Sequence, residues 1–154
     1  MVDVVSPEKR SEMMAGIRAT NTKPEILVRK ILHRSGFRFS LQRKDLPGKP
    51  YIVLPKWNVV IFVHGCFWHG HENCPIFRLP RSRAEFWSEK IETNRARDSH
   101  ARLRYLDTHW RVIEIWECAA KGRSKLATDA LAARLANAIK LGTEKVFSIR
   151  GYTL

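Results

Sequence analysis

Apolar residues recur at helical spacing in three parts of the chain and at strand spacing between them. The first helix is predicted to begin at Thr22, which has capping-box spacing to Glu25, and to end at Gly36. The apolar face of this helix consists of Leu27, Val28, Ile31 and Leu32.

Two longer helical patterns follow later in the chain. A capping box of Ser82 and Glu85 predicts a helix from about residue 83 to 107, and a last helix is predicted to end at Gly142. A short amphipathic helix is also expected after Ser6 and Pro7, and it is expected to form when the protein is bound to its partner. The apolar positions of the two long helices are Phe86, Trp87, Ile91, Leu103 and Leu106, then Leu126, Leu131, Leu135 and Ile139.

Strand patterns occupy the segments between these helices. Phe37, Phe39 and Leu41 alternate with polar residues, as in a half-buried strand. The apolar runs YIVL (51–54), NVVIFV (58–63) and WRVIEIW (110–116) are typical of buried strands. The predicted order is therefore helix, three strands, helix, strand, helix, which indicates the α/β class with a small mixed sheet.

Length and charge restrict the function further. The 154 residues fit a single domain, 1–154, without repeats or a linker. The 28 Lys and Arg residues exceed the 15 Asp and Glu residues, giving a formal net charge of +13. This balance favours a polyanionic partner, nucleic acid before an anionic membrane surface. No apolar run approaches the ~20 residues that cross a bilayer, so a cytoplasmic protein is expected.

The cysteine and histidine spacing indicates a metal site. Cys66, His71 and Cys74 follow a predicted strand, and Cys118 follows another. Because two strand ends can lie side by side, the four side chains are expected to form a closed tetrahedral zinc site, which is structural and does not activate water. The alternative is that Cys66 and Cys118 are small core residues and that His71 lies on the surface.

Several ordered motifs resemble those of the very-short-patch repair (Vsr) mismatch endonucleases. They are LPGKP before a strand, VIFVHGCFWHGH after it, EFWSEKIETNRARD and HWRVIEIWEC, and they cover about residues 8 to 120. The resemblance implies a restriction-endonuclease-like fold and an enzyme that uses Mg²⁺ to nick DNA beside the thymine of a T:G mismatch. It also implies double-stranded DNA as partner and a functional link to a cytosine-5 DNA methyltransferase; without an obvious self-association stripe, a monomer is expected.

The resemblance also assigns residues that bind zinc and DNA. The N-terminal segment 1–20 is expected to contact DNA, and residues 64–80 form the zinc and wedge loop. In the family a methionine and an aromatic pair enter the base stack, and unstacking is cheapest at a mispaired step. The matching residues are Cys66, His71, Cys74 and Cys118 for zinc, Met14, Phe67 and Trp68 for the wedge, and Lys90, Asn94 and Asp98 for DNA contacts. Without the resemblance, Phe67 and Trp68 would be interpreted as core residues and Lys90 as a solvated charge.

The catalytic positions of the resemblance contain one substitution with a chemical consequence. His69 matches the general base or acid, His64 lies beside the scissile phosphate, and Glu25 reaches in from the first helix. Val63 takes the place of a threonine whose backbone carbonyl the resemblance assigns to Mg²⁺, and a valine keeps that carbonyl, but Tyr51 occupies the position of the metal-binding aspartate. A neutral phenol does not replace a carboxylate in an octahedral Mg²⁺ site, so cleavage is expected to be severely impaired.

Two other functions remain open at this stage. One is a relative that binds mismatched DNA without cutting it. The other is a zinc-stabilised nucleic-acid-binding module unrelated to repair, which would not explain why His64, His69 and Glu25 are all present.

Overall fold

A five-stranded mixed sheet with helices on both faces forms the centre of the protein. The computed structural model describes residues 21–152. In this range the elements are α1 (Lys23–Arg34), β1 (Ser40–Leu41), β2 (Ile52–Leu54), β3 (Val59–His64), α2 (Ala84–Tyr105), β4 (Arg111–Trp116), α3 (Thr128–Leu141) and β5 (Val146–Ile149).

Strand order follows the chain, but strand direction changes at β3. The strands β1, β2 and β3 form antiparallel pairs, whereas β3, β4 and β5 pair in parallel. His64 is therefore opposite Trp116 at the carboxyl ends of the two central strands. Residues that follow these two ends are brought together, as in other sheets whose functional sites lie beyond the carboxyl ends of parallel strands.

The two faces of the sheet pack against different helices. On one face Ile52, Ile61 and Ile113 pack against α1 and α3, which contribute Leu32 and Leu135. On the other face, three valines pack against Tyr105 of α2: Val53, Val60 and Val112. Burial of each large aliphatic side chain stabilises the fold by ~1.5–3 kcal/mol. Because a shift by one residue would move the side chains of a strand to the opposite faces, this burial fixes the register of the strands.

The capping box of the first helix is confirmed, and that of the second is wrong. The Glu25 amide donates to Thr22 Oγ1 over 3.4 Å, and the Thr22 amide donates to Glu25 Oε1 over 2.8 Å. At α2 the N-cap is Arg83, at φ +57° and without a side-chain cap bond. The guanidinium of Arg83 lies 4.3 Å from the ring centroid of Phe86, a contact that the capping-box pattern does not take into account.

The predicted strand over residues 37–41 is mostly wrong, and β5 was not predicted. Only Ser40–Leu41 pairs with β2, because Phe37 enters the core instead and contacts Trp57 edge to face. In β5 the two central residues, Phe147 and Ser148, are exposed, so the segment lacks the apolar run by which the other strands were recognised.

Met14 and the N-terminal segment 1–20 lie outside the described residues, as does the helix expected after Ser6. Among residues 21–152, the helices are too short or too polar to cross a membrane.

Candidate metal centre and active site

Three cysteines and one histidine converge beyond the carboxyl ends of β3 and β4. Cys66, His71, Cys74 and Cys118 are all buried, and one donor atom of each lies within 4.8 Å of the others. Sγ of Cys66 and Sγ of Cys118 lie 3.5 and 3.6 Å from Nδ1 of His71. Cys66, His71 and Cys74 follow β3 and Cys118 follows β4, so the parallel pairing of these strands assembles the cluster.

Hydrogen bonds around the cluster favour the thiolate form of Cys118. Backbone amides of Cys118 and Gly151 donate to Sγ of Cys66 and of Cys118 respectively, each over 3.3 Å. A hydrogen bond from the Cys66 thiol lowers the pKa of Cys118 below its usual value. A hydrogen bond to His71 lowers this pKa further, whereas burial acts in the opposite direction. The His71 ring stacks on Trp116 at 3.8 Å between centroids. Donor types, number and burial therefore fit a structural metal site of the Cys₃His type, and the small-core-residue alternative does not account for this convergence.

Gly70 allows the loop that carries these ligands to lie directly on α2. Its φ is +59°, and a Cβ at this position would lie 2.5 Å from both Nε of Arg95 and Cγ2 of Ile91. The Gly70 carbonyl accepts a 3.0 Å hydrogen bond from Nε of Arg95. A side chain here would push the loop away from the helix, so glycine is required both by conformation and by space.

Two histidines beside the metal cluster are each paired with a carboxylate. Nε2 of His64 lies 2.7 Å from Oε2 of Glu114, and Nδ1 of His69 lies 2.6 Å from Oδ2 of Asp98. The two imidazole rings are 4.2 Å apart between centroids. Arg102 donates from Nε and Nη2 to the two oxygens of Glu114, over 2.8 and 2.9 Å.

Charge in this network is set by burial and by Arg102. Burial alone would raise the pKa of Glu114, but hydrogen bonds from His64 and Arg102 outweigh it and lower the pKa to about 2. Burial lowers the pKa of His64, and the hydrogen bond to Glu114 opposes this only in part. Glu114 is therefore ionised at neutral pH, and it accepts the Nε2 proton of a neutral His64.

Known proteins of similar sequence indicate the family of this chain. The model of the family described as DNA mismatch endonuclease Vsr matches residues 2–75. The type II nicking enzyme V.XorIIP of Xanthomonas oryzae pv. oryzae is 50% identical over 137 residues, which cover 89% of this chain and 96% of the relative. The DNA mismatch endonuclease Vsr of Escherichia coli is 42% identical over 135 residues, covering 88% of this chain and 86% of the relative. The chain belongs to the Vsr family of DNA mismatch endonucleases. The restriction-endonuclease-like fold expected from the motifs is thereby confirmed.

Position 51 does not offer Mg²⁺ the ligand that the resemblance to the Vsr family implies. The side chain of Tyr51 is 4% exposed, and its hydroxyl donates a 2.9 Å hydrogen bond to Oδ1 of Asn21. Burial raises the pKa of Tyr51, so the phenol stays neutral. Glu25 is also buried, and its carboxylate is engaged in the α1 capping box. Val63 keeps the backbone carbonyl that the resemblance assigns to Mg²⁺, because this group does not depend on the side chain. Without a carboxylate at position 51, however, the residues present do not fit Mg²⁺.

The two aromatic residues that the resemblance assigns to the wedge form an aromatic cluster with α2. Phe67 and Trp68 are half-buried, and both contact Trp87, at 5.5 and 5.9 Å between ring centroids. Asn94 donates to the carbonyl of Trp68 over 2.7 Å, whereas Lys90 is exposed on the same helix. The two aromatic rings are thus supported from behind by α2 and remain partly accessible.

The motif pattern did not single out two residues of this site, Glu114 and Arg102. The first is 3% exposed in the middle of β4, where WRVIEIW has a single carboxylate among apolar residues. That isolated charge was the available signal, because a buried carboxylate requires a partner. The resemblance assigns Asp98 to DNA contacts, but its carboxylate lies 2.6 Å from Nδ1 of His69. This carboxylate therefore also orients the histidine.

Proposed function

We propose that this chain recognises T:G mismatches in double-stranded DNA through a complete Vsr scaffold, and that Tyr51 severely impairs its nicking of the strand beside the thymine. The observation that carries the proposal is the buried Tyr51 hydroxyl, hydrogen-bonded to Asn21 at the position where the family pattern has an aspartate. The family membership supports the DNA substrate, and the net charge of +13 suits it.

The metal of the Cys₃His cluster is proposed to be zinc. Cys66, His71, Cys74 and Cys118 would hold it, and four protein ligands leave no open position for substrate. When bound, zinc supplies folding energy and cross-links the wedge loop to the end of β4. The residues Phe67 and Trp68 are then held on a rigid base, which keeps the cost of ordering them low when they enter the base stack.

DNA recognition is assigned to the exposed side of the wedge loop and of α2. Phe67 and Trp68 replace stacking that is lost at the mismatch, and their partial exposure is consistent with this role. Lys90 and Asn94 are proposed to contact the mismatched bases, and Met14, outside the described residues, completes the wedge.

Proton transfer at the scissile phosphate is assigned to the imidazoles. Asp98 holds Nδ1 of His69, so that Nε2 of His69 faces away from the carboxylate and is able to exchange a proton. Glu114 orients His64 beside the phosphate in the same way. In the family Mg²⁺ polarises the phosphate, and the chain lacks the carboxylate that would hold it at position 51.

A nicking assay on a T:G duplex tests the proposal. This chain, Tyr51→Asp and Tyr51→Phe are compared in Mg²⁺ at equal zinc content. Nicking is expected only in Tyr51→Asp, because Phe restores no ligand. If all three variants nick at similar rates, other groups supply the metal site and the proposed role of Tyr51 is wrong.

The second candidate function is a protein that binds mismatched DNA without cutting it, and the same hydrogen bond of Tyr51 favours it. Gel-shift binding that prefers T:G over matched duplex, with no nick in Mg²⁺, is its expected signature. Equal affinity for the two duplexes would instead indicate a module unrelated to mismatch repair. We further propose a monomer located in the cytoplasm and functionally linked to a cytosine-5 DNA methyltransferase.

A further inference from the structure

The outer surface of α1 carries a group of basic side chains beside Phe39. Arg29, Lys30, His33 and Arg34 line, together with Phe39, a groove of 320 Å³, here called the α1 groove. Lys30, His33 and Arg34 are exposed, whereas Arg29 and Phe39 are half-buried. Among residues 21–152, no carboxylate lines this groove. The α1 groove therefore has a cationic rim and one aromatic wall.

The charges of the α1 groove lack counter-charges within the described part of the chain. Basic residues of α2 such as Arg102 are paired with carboxylates. No ion pair among residues 21–152 includes Arg29, Lys30 or Arg34. Lys30 and Arg34 are like charges at i,i+4 spacing, an arrangement that lowers the stability of a helix. A polyanion bound in the groove would relieve this repulsion.

The helix dipole accounts for only part of this group. His33 and Arg34 lie in the last turn of α1, where positive charge interacts favourably with the dipole. Arg29 and Lys30 lie in the middle of the helix, beyond the reach of that effect. Their presence is therefore better explained by a partner that contacts the whole length of the groove.

The α1 groove begins beside the candidate active site. Glu25, Arg29 and His33 recur at i,i+4 spacing and therefore follow one another along α1. Burial raises the pKa of Tyr51, and the positive charge of Arg29 opposes this rise because the two side chains are close. The row of basic side chains thus leads away from Glu25 and Tyr51 toward the C-terminal end of α1.

We infer that the α1 groove binds the phosphodiester backbone of the DNA that flanks the mismatch. Clustered Lys and Arg side chains bind phosphates through their charge and position the duplex without reading its sequence. An acidic protein segment would also match the charge, but the continuity of the groove with the candidate active site favours DNA. The inference rests on the proposed DNA substrate and holds whether or not this chain prefers a mismatch or nicks it.

Removal of two charges from the groove tests the inference. Lys30→Gln/Arg34→Gln replaces two exposed basic residues by a good helix former. The matched control is Arg104→Gln/Lys125→Gln, which removes two exposed basic residues that do not line the groove. Fluorescence anisotropy gives the Kd of each protein for T:G and matched duplexes of the same sequence, from about 50 to about 200 mM salt.

The groove variant is expected to bind both duplexes at least about 10-fold more weakly than the parent. The slope of log Kd against log salt should decrease by about 2, since each lost phosphate contact contributes ~0.9. The ratio of the T:G affinity to the matched affinity should stay the same, because the wedge loop and α2 are unchanged. Circular dichroism and zinc content check the fold of each variant.

Shortened duplexes locate the contact. When each arm of the duplex beyond the mismatch is trimmed in turn, the deficit of the groove variant is expected to disappear for only one of the two arms. Equal losses of affinity in the groove and control variants would overturn the inference. An unchanged salt slope in the groove variant would also overturn it, in favour of an acidic protein segment as occupant. A parent protein without preference for the T:G duplex would contradict the proposed function alone.

Discussion

The Tyr51 hydroxyl donates a hydrogen bond to the side-chain oxygen of Asn21 over 2.9 Å, thirty positions away in sequence. Asn21 lies just before the capping residue of α1, so the bond connects the start of β2 to the start of that helix. A phenol at position 51 therefore has a structural partner, and under the proposed function this buried contact takes the place of a metal-binding carboxylate.

Replacement of Tyr51 is expected to separate stability from activity. Tyr51→Phe removes one hydrogen bond and should lower the free energy of unfolding by ~1 kcal/mol. Tyr51→Asp removes a buried ring and places a carboxylate there, so a loss of ~2–4 kcal/mol is expected. Urea denaturation of the zinc-loaded proteins measures both. A Tyr51→Asp variant as stable as the parent would show that the ring contributes little to the core.

Loss of the cluster metal is expected to unfold the protein. The ligands of the Cys₃His cluster lie on the loop after β3 and just beyond β4, so a bound metal joins the ends of the two central strands. Chelation under mildly denaturing conditions, or Cys118→Ala, should therefore abolish both the cooperative transition and DNA binding. Ser88→Ala, at an exposed site on α2, is the control. A fully stable metal-free protein would contradict a structural role for the metal.

Glu114 is expected to stabilise the fold at neutral pH and to lose this effect in acid. The pKa of Glu114 is about 2 in the folded protein against an ordinary 4.5, so between these values the unfolded chain binds more protons. The contribution is complete above pH 4.5 and disappears as the pH falls toward 2, with an upper limit of roughly 3 kcal/mol. Unfolding free energies of the parent and Glu114→Gln, measured from pH 7 downward, should converge in that window. A difference that is independent of pH would assign the loss to packing.

The same variant is expected to affect catalysis and not DNA affinity. In the Tyr51→Asp background, Glu114→Gln should lower kcat by about 10-fold or more, since His64 loses a charged partner that fixes its tautomer. The Kd for T:G duplex should change little, because Glu114 is buried. Single-turnover nicking measures the first quantity and gel shift the second. Equal losses in both would indicate general misfolding instead.

The aromatic pair is expected to control the preference for mismatched DNA. Phe67→Ala and Trp68→Ala should each weaken binding to the T:G duplex by ~1–3 kcal/mol and leave binding to matched duplex almost unchanged. Phe86→Ala serves as control, because Phe86 is 45% exposed and adjacent to Trp87 without belonging to the wedge. Competition gel shifts measure the ratio of affinities. An unchanged ratio in Phe67→Ala would support the core-packing interpretation of this pair.

Local patterns were sufficient where a residue's role depends on its neighbours in sequence. The capping box of Thr22 and Glu25 and the buried apolar runs of β2, β3 and β4 are of this kind, and the structure contains them. The capping box of Ser82 was wrong because Arg83 adopts a left-handed conformation there. The edge strand β5 was missed because two of its four residues are exposed and carry no apolar signal.

The sequence by itself determined the α/β class and the four side chains of the Cys₃His cluster, because these depend on residue type and spacing; position 51 stood out only through the resemblance to the Vsr family. Only the tertiary structure decided the partners of the ionisable groups: Glu114 between His64 and Arg102, Asp98 beside His69, and Asn21 bonded to Tyr51. Three of these contacts join residues that are 29 to 50 positions apart in sequence, and the Arg102–Glu114 pair is separated by 12 positions. Pairings of this kind arise when strands and helices pack, and the pKa of a buried group depends on the charges that packing places around it.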